Sequence, residues 1–308
     1  MPVSVVMSVY NGEAYLEAAI ESVLRQSLDS FEFVIVDDGS TDGSNRIIQQ
    51  FARNYNNIVL IEQENRGLPA ALNRGIEQAR HELIARMDAD DIMMPVRLER
   101  QLVFLEQNKD VTVACSHVQL INSDGRIVGE SRPELPPPSS VGRFVAFTHS
   151  SVMMRKQDVL SAGGYRDEFF YAEDQDLWAR LLVRGCRFAV QPECLMMHRV
   201  HSSSISMHNL ARQHLLCELV HSNFTRAMAG QEELSLEEFV AMKARRPFFQ
   251  KTGDLVEFLW QSQYKKSSRA FAEGKWLDFL PSIGAAFALH PVRTAKRVLS
   301  RRAGDEQI

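Results

Sequence analysis

No stretch of the 308-residue chain approaches the roughly 20 consecutive apolar residues that a spanning helix requires, so nothing in it reads as a membrane span. Positive charge is not in excess either. The formal net charge of −4 argues against general nucleic-acid binding, because such a protein needs clustered cations to replace the counterions along phosphates. Cysteine is scarce: Cys115, Cys186, Cys194 and Cys217 are scattered, without the short paired spacing of zinc sites or disulfide scaffolds, and a reducing cytosol fits. A basic leader with a small-residue cleavage site is also missing. Val3 to Val9 is apolar from the outset and reads as a first strand rather than a signal peptide, which points to a cytoplasmic protein. What is present is ordinary globular composition, 45% hydrophobic and 24% charged, in a chain long enough for one catalytic unit with a tail.

The first hundred residues alternate between two periods. Val3 to Val9, Phe31 to Val36, Ile58 to Ile61 and Leu83 to Met87 are short runs rich in β-branched residues, which predict strands. Between them Leu16, Ile20, Val23 and Leu24, then Ile47, Ile48 and Phe51, then Leu68 to Ala79 recur at helical spacing, and a further helix is expected to open at Pro95. Such alternation implies right-handed crossovers and a mostly parallel sheet covered on both faces. Beyond residue 110, Val111 to Cys115, Val118 to Ile121 and Ile127 to Gly129 flank the turn-like segment from Asn122 to Arg126 and predict a hairpin. Pro136, Pro137 and Pro138 mark a loop. From about His208 the chain is helical in character, so the boundary is placed between a catalytic domain over 1–207 and a helical region over 208–308.

In an open α/β sheet, ligands bind outside the carboxyl ends of the strands. Tyr10 and Asn11, Asp37 and Asp38, and the run Asp88, Ala89, Asp90, Asp91 all end apolar runs and would share one rim. Asp88 and Asp90, two apart on an extended segment, would point to one side and converge on a hard cation, since paired carboxylates are costly without one. The same Asp-x-Asp is also an ordinary capping or solvated acidic turn. Asp37 to Asp42 reads equally as a turn in which Ser40 or Asp42 caps the next helix, or as a carboxylate that accepts hydrogen bonds from a nucleoside. Glu173, Asp174 and Asp176 open a helix, where the dipole favours them. A carboxylate fixed there can also act as a general base.

Several motifs occur in order: Val5-Val-Met-Ser-Val-Tyr-Asn-Gly12; Val34-Ile-Val-Asp-Asp-Gly-Ser-Thr-Asp42; Asn65-Arg-Gly67 with Ala71-Leu-Asn-Arg-Gly75; Asp88-Ala-Asp-Asp91; and Gly163-Gly-Tyr165 leading to Ala172-Glu-Asp-Gln-Asp-Leu-Trp178. As a set they resemble the family 2 glycosyltransferases that build bacterial cell-surface polysaccharides. The resemblance covers about two thirds of the chain. It implies a GT-A fold, that is, an α/β, Rossmann-like nucleotide-binding mixed sheet flanked by helices, here with a helical C-terminal extension. It also implies transfer of a sugar from a nucleotide-diphosphate sugar, a UDP-sugar by the family's habit, to a glycan or lipid-linked acceptor hydroxyl, with Mn2+ or Mg2+ as cofactor and inversion at the anomeric carbon. By the resemblance Ser8 and Tyr10 contact the nucleoside, Asp38 the base edge and Arg66 the donor. Asp90 ligates the metal directly, with Asp88 beside it. Asp174 is the base, His201 a third metal ligand ahead of Ser204 and Ser206, and His149, ahead of an expected strand from Ser151 to Met154, lines the acceptor side.

Two other classes fit a sheet of this kind. A sugar-phosphate nucleotidylyltransferase needs a Gly-rich basic loop after the first strand, and here that position carries no lysine or arginine. A non-catalytic nucleotide-sugar binder would be expected to have lost Asp88, Asp90 or Asp174. At the other end of the chain Phe279, Leu280, Ile283, Ala286 and Phe287 form an apolar stripe followed by Arg293, Lys296, Arg297, Arg301 and Arg302. That basic amphipathic pattern predicts peripheral contact with the inner face of the cell membrane.

Overall fold

The β-branched runs become strands, and each feeds a helix that lays its apolar stripe on the sheet. The computed structural model describes residues 3–135, 147–201 and 209–302. In order come β1 (Val3–Val9), α1 (Glu13–Leu24), β2 (Phe31–Asp37), α2 (Ser44–Asn54), β3 (Ile58–Glu62), α3 (Leu68–Gln78), β4 (Leu83–Asp88), β5 (Ile92–Met93) and α4 (Arg97–Gln107). Next are β6 (Val111–Ile121), β7 (Ile127–Ser131), β8 (Met153–Arg155), α5 (Lys156–Ser161), α6 (Glu173–Val183) and β9 (Arg187–Arg199). Among the described residues the strand order is β3-β2-β1-β4-β8-β6-β9-β5, with β7 paired to β6. β1 to β4 pair in parallel, β8 runs antiparallel to both β4 and β6, and β5 runs antiparallel to β9.

The chain divides into two compact units. The first holds residues 1–119 and 131–198; the second holds 120–130 and 199–308. In the first, Val6, Val34 and Val36 of the parallel strands meet Ala71, Leu72 and Ile76 of α3, and the same core takes in Leu177, Trp178 and Leu181 of α6. Gly75 sets how closely α3 approaches. A Cβ there would lie 2.6 Å from Val6 Cγ1 and 3.2 Å from Val36 Cγ2, so a larger residue would lift the helix off the strands.

Several local expectations are corrected. α4 starts at Arg97, after a turn that contains Pro95. β6 is one unbroken strand of 11 residues rather than two short runs. Ser40 does not cap α2; Asp42, one residue before Gly43 at the helix start, accepts from Ser44 N through Oδ1 at 3.0 Å and so satisfies its first N–H. Pro136 to Pro138, Ser204 and Ser206 lie outside the described residues.

In the second unit the turn between β6 and β7 is built on Asn122, whose Oδ1 accepts from the N–H groups of Asp124 and Arg126 at 3.0 and 2.9 Å. Arg199 Nη1 donates to the carbonyls of Asn122 and Ser123. Among the described residues five helices follow: α7 (Leu210–Met228), α8 (Leu236–Ala244), α9 (Phe248–Ala272), α10 (Trp276–Leu289) and α11 (Pro291–Arg302). Ser235 and Glu238 close a capping box at the start of α8. Gly274, at φ +67°, makes the turn between α9 and α10. The stripe expected from Phe279 to Phe287 proves to be two faces. Ala286 is fully buried and Ile283 packs beside it against Trp260 and Tyr264, whereas Leu280 and Phe287 face outward.

Candidate active site

Strand register brings the rim together. Ser8 pairs with both Val36 and Asp88, and Val9 pairs with Asp37, so β1, β2 and β4 end level with one another. The two loops beyond them are laced by short polar side chains. Asn11, at φ 51°, accepts from Thr41 N at 2.8 Å and donates its own N–H to Ser40 Oγ. Gly12 N donates to Ser44 Oγ, Glu13 N donates to Asp42 Oδ2, and Gly43 N returns a bond to Glu13 Oε2. Ser8 is partly exposed on this rim, and Tyr10 presents a ring that is 50% exposed.

Asp38 is buried beside them and orders the neighbouring loop. Its Oδ1 accepts from Gln63 Nε2 and from Arg66 N at 2.7 and 2.9 Å, and its Oδ2 accepts from Gly67 N at 2.9 Å. A carboxylate oxygen can take two donors, so Oδ2 retains capacity for one more. The same bonds fix the backbone of Arg66, whose side chain is exposed, at the entry to α3.

The acidic run after β4 forms a cluster. Single carboxylate oxygens from Asp88, Asp90 and Asp91 all lie within 4.8 Å of one another. Strand alternation is not the cause, as the sequence pattern had implied. β4 ends at Asp88, and a turn through Ala89 and Asp90 folds the carboxylates together. Their surroundings differ. Asp88 is ion-paired with the buried Arg86, whose Nε has no hydrogen-bond partner among the described residues. Asp91 is fully buried and accepts from Ser150 Oγ while facing His198 Nδ1 at 3.1 Å. Asp88 and Asp90 are partly open. Hard oxygen donors in this number suit a divalent cation such as Mg2+ or Mn2+, so the residues present fit the expected metal.

Asp174 stands in the first turn of α6 with its Oδ1 accepting from Gln175 N at 2.7 Å. Burial is the main reason its pKa is raised. The Arg86 guanidinium opposes the rise and the Asp88 charge adds to it, so base candidate and acidic cluster feel one another inside the same unit. Burial, with Asp174 beside it, likewise pushes Glu173 up to about 7. Tyr171, held at φ 90°, donates its N–H to Glu173 Oε2 and leads into this turn. Beneath it His149 Nε2 lies 2.7 Å from Tyr165 Oη, and its ring packs against Tyr165 and Trp178. Burial and then Arg86 hold His149 well below the usual imidazole range, which keeps it neutral. Asn73 pins this segment, accepting from Tyr165 N and donating to Tyr165 O.

Sequence patterns missed Arg86 and His198, and placed Asp91 on the rim without giving it a role. A lone arginine within the apolar run Leu83 to Met87 was the available signal for the first, because a buried cation in a strand demands a partner. His201 belongs to the second unit, whereas the carboxylate cluster lies wholly in the first.

His198 yields a pH expectation. Burial works against its charge, but Asp91, then Asp88 and Asp90, overcome this and raise it to about 9. A raised folded-state pKa gives stability that is complete below the unfolded imidazole value near 6.5 and is lost as pH rises through about 9. Its side chain is 36% exposed, so solvent screening reduces the effect to about 1 kcal/mol, or about 2–4 °C of melting temperature. In EDTA, wild type should lose this margin over His198→Gln between pH 6.5 and 9. Parallel melting curves across that window would count against the pairing.

Comparison with known proteins places this geometry. Residues 4–161 match the model of the family described as Glycosyl transferase family 2. The chain is 34% identical over 211 residues to the amylovoran biosynthesis glycosyltransferase AmsE of Erwinia amylovora, covering 66% of this chain and 78% of that protein. It is 32% identical over 190 residues to the UDP-Gal:alpha-D-GlcNAc-diphosphoundecaprenol beta-1,3-galactosyltransferase of Escherichia coli, covering 59% and 68%. Among solved structures, S. aureus TarS 1-349 in complex with UDP-GlcNAc superposes with a TM-score of 0.59 at 14% identity, over 94% of this chain and 91% of that one. The mannosyltransferase PcManGT of Pyrobaculum calidifontis, in complex with GDP-Man and Mn2+, gives 0.56 at 18% identity, over 98% and 79%. At these identities the structures speak for the fold, which is GT-A.

Proposed function

Because the chain belongs to glycosyl transferase family 2 and is a glycosyltransferase of the GT-A fold, we propose that it moves a sugar, with inversion, from a nucleotide-diphosphate sugar to an acceptor hydroxyl in cell-surface polysaccharide or glycan synthesis. The observation that carries this reading is the gathering of the Asp88, Asp90 and Asp91 carboxylates after β4, in the same unit as Asp174. Tyr10 offers its exposed ring to the base, Ser8 lies level with Asp88 on the rim, and Asp38 shapes the loop that presents Arg66. Asp90, with Asp88 beside it, would hold Mn2+ or Mg2+, which when bound takes up the charge of the departing diphosphate.

Asp174 then takes the proton of the acceptor hydroxyl as its oxygen bonds to the anomeric carbon and the bond from that carbon to the diphosphate oxygen breaks. A buried carboxylate with a raised pKa is a stronger base than one in water, and the Arg86 guanidinium opposes the rise. A uridine donor is the first choice: the galactosyltransferase relative is named for UDP-Gal and the TarS complex holds UDP-GlcNAc. The same relative is named for a diphosphoundecaprenol acceptor, which supports a lipid-linked acceptor and contact of the basic C-terminal region with the membrane face. No described helix is long and apolar enough to cross a membrane.

Thermal shift against a panel of nucleoside diphosphates and nucleotide sugars tests the donor. A ligand at about 100 times its Kd adds about 2.7 kcal/mol to the folded state, so UDP and its sugars should raise the melting temperature by several degrees with Mn2+ and much less in EDTA. Stabilisation by no nucleotide in either condition would overturn the reading.

A further inference from the structure

We propose that the outer face of α10 is a shallow insertion surface for an anionic phospholipid bilayer. This deepens the membrane placement above and rests on it for its setting, but its observations come from the second unit alone. α10 reads WLDFLPSIGAAFAL, with Asp278 its single charge. A helix apolar all round is ordinarily covered on every side. Among the described residues one side is covered: Ile283, Ala286 and Leu289 pack against Trp260 and Tyr264 of α9. On the other side Trp276 is 56%, Leu277 91%, Leu280 63% and Phe287 38% exposed. These positions form one stripe at helical spacing. The Trp276 ring is braced edge-on by Phe271 and Phe279 at 5.8 and 5.5 Å, so the tip of the α9–α10 hairpin is a preformed aromatic and aliphatic wedge.

Length and charge identify the occupant. The 14 residues of α10 extend about 21 Å, short of the roughly 30 Å hydrocarbon core, so the helix can lie along a bilayer surface but not cross it. Tryptophan with leucine on such a face suits the boundary between headgroups and acyl chains. Residues 261–302 carry nine lysines and arginines against Glu273 and Asp278 alone, in a chain whose net charge is −4. Beside Leu277 a cleft of about 390 Å³ is lined by Lys266, Arg269 and Lys275 together with Glu273 and Asp278, with Glu273 paired to Lys275, so the excess positive charge lies on the surrounding helices rather than in the cleft itself. A second copy of this chain would bring the same positive charge to the face and be repelled, which favours anionic headgroups over self-association.

The tryptophans supply a direct reporter. Of the three in the chain, Trp178 and Trp260 are each 2% exposed, so a change in emission on adding vesicles belongs to Trp276. The full chain should float with phosphatidylglycerol–phosphatidylcholine vesicles, with blue-shifted emission, and should do neither with phosphatidylcholine alone. Leu277→Glu with Leu280→Glu, at exposed positions, should weaken binding by about tenfold or more while leaving the nucleotide melting shift unchanged. Trp276→Phe should abolish the spectral shift but not flotation. Three results would overturn the proposal: no flotation of the full chain with anionic vesicles, equal flotation of the double variant, or a dimer that the double variant dissociates in the absence of vesicle binding. Transfer to a soluble acceptor is measured alongside, so loss of the glycosyltransfer reading and loss of this surface are read separately.

Discussion

Asp174→Asn is expected to lower kcat by about 10²–10⁴-fold, the contribution of a positioned general base, while calorimetric binding of the UDP-sugar stays close to wild type. Amide and carboxylate are nearly isosteric, and the bond from Gln175 N to Oδ1 survives the change, so the first turn of α6 keeps its shape. The variant should also melt higher at pH 8. A carboxylate whose pKa is raised in the folded state contributes stability below its unfolded value and loses it as pH rises through the folded one, and the asparagine has no such loss. Higher stability with lost turnover is the signature of a functional, desolvated carboxylate. In wild type the acid limb of kcat should lie above the ordinary carboxylate range, because Asp174 must be ionised to accept the proton. Glu173, raised to about 7, is the rival for that limb. If Asp174→Asn turns over normally and Glu173→Gln does not, the base is Glu173 and the assignment fails.

The parallel half of the fold was legible because each strand and helix there is a local pattern with its own period. Val3–Val9, Phe31–Asp37 and Leu83–Asp88 are β-branched or apolar runs ending in polar residues, and parallel pairing puts those ends on one rim without further information. The short strand β8 was expected from the run Ser151 to Met154, but its pairing partners were not. Its place between β4 and β6 is set by long-range contacts, among them Arg97 Nη2 donating to the carbonyls of Arg86 and Val152. The same limit applied at the site. Asp88, Asp90 and Asp174 stood out as carboxylates at element ends, but the groups that tune them come from elsewhere in the chain. Arg86 is hidden in a strand, and His198 lies 107 residues from Asp91. Periodicity marks which face a residue takes, and it is silent on which distant side chain will meet it. The C-terminal helices show this from another side: one apolar stripe in the sequence became one packed face and one bare face only when α9 was laid against α10.

Asp90→Asn is expected to remove the Mn2+-dependent part of donor binding, a loss of about 10²-fold in apparent UDP affinity if the cation contributes several kcal/mol. The three clustered carboxylates are not equivalent. Asp91 is fully buried and held by Ser150 and His198, so Asp91→Asn should lower the melting temperature first and donor binding second. Asp88 is balanced by Arg86, which already offsets one negative charge without a metal. Asp90 adds a further carboxylate to that acidic group from a partly open position in the turn, where a cation can reach it. Neutralising it relieves repulsion within the cluster, so the variant should be at least as stable as wild type in EDTA. The decisive comparison is a square of four titrations: UDP into wild type and Asp90→Asn, each with Mn2+ and with EDTA. Mn2+ should tighten wild type strongly and the variant little, and the two proteins should coincide in EDTA. Equal enhancement by Mn2+ in both proteins would take Asp90 out of the metal site and leave the cluster to Asp88 and Asp91.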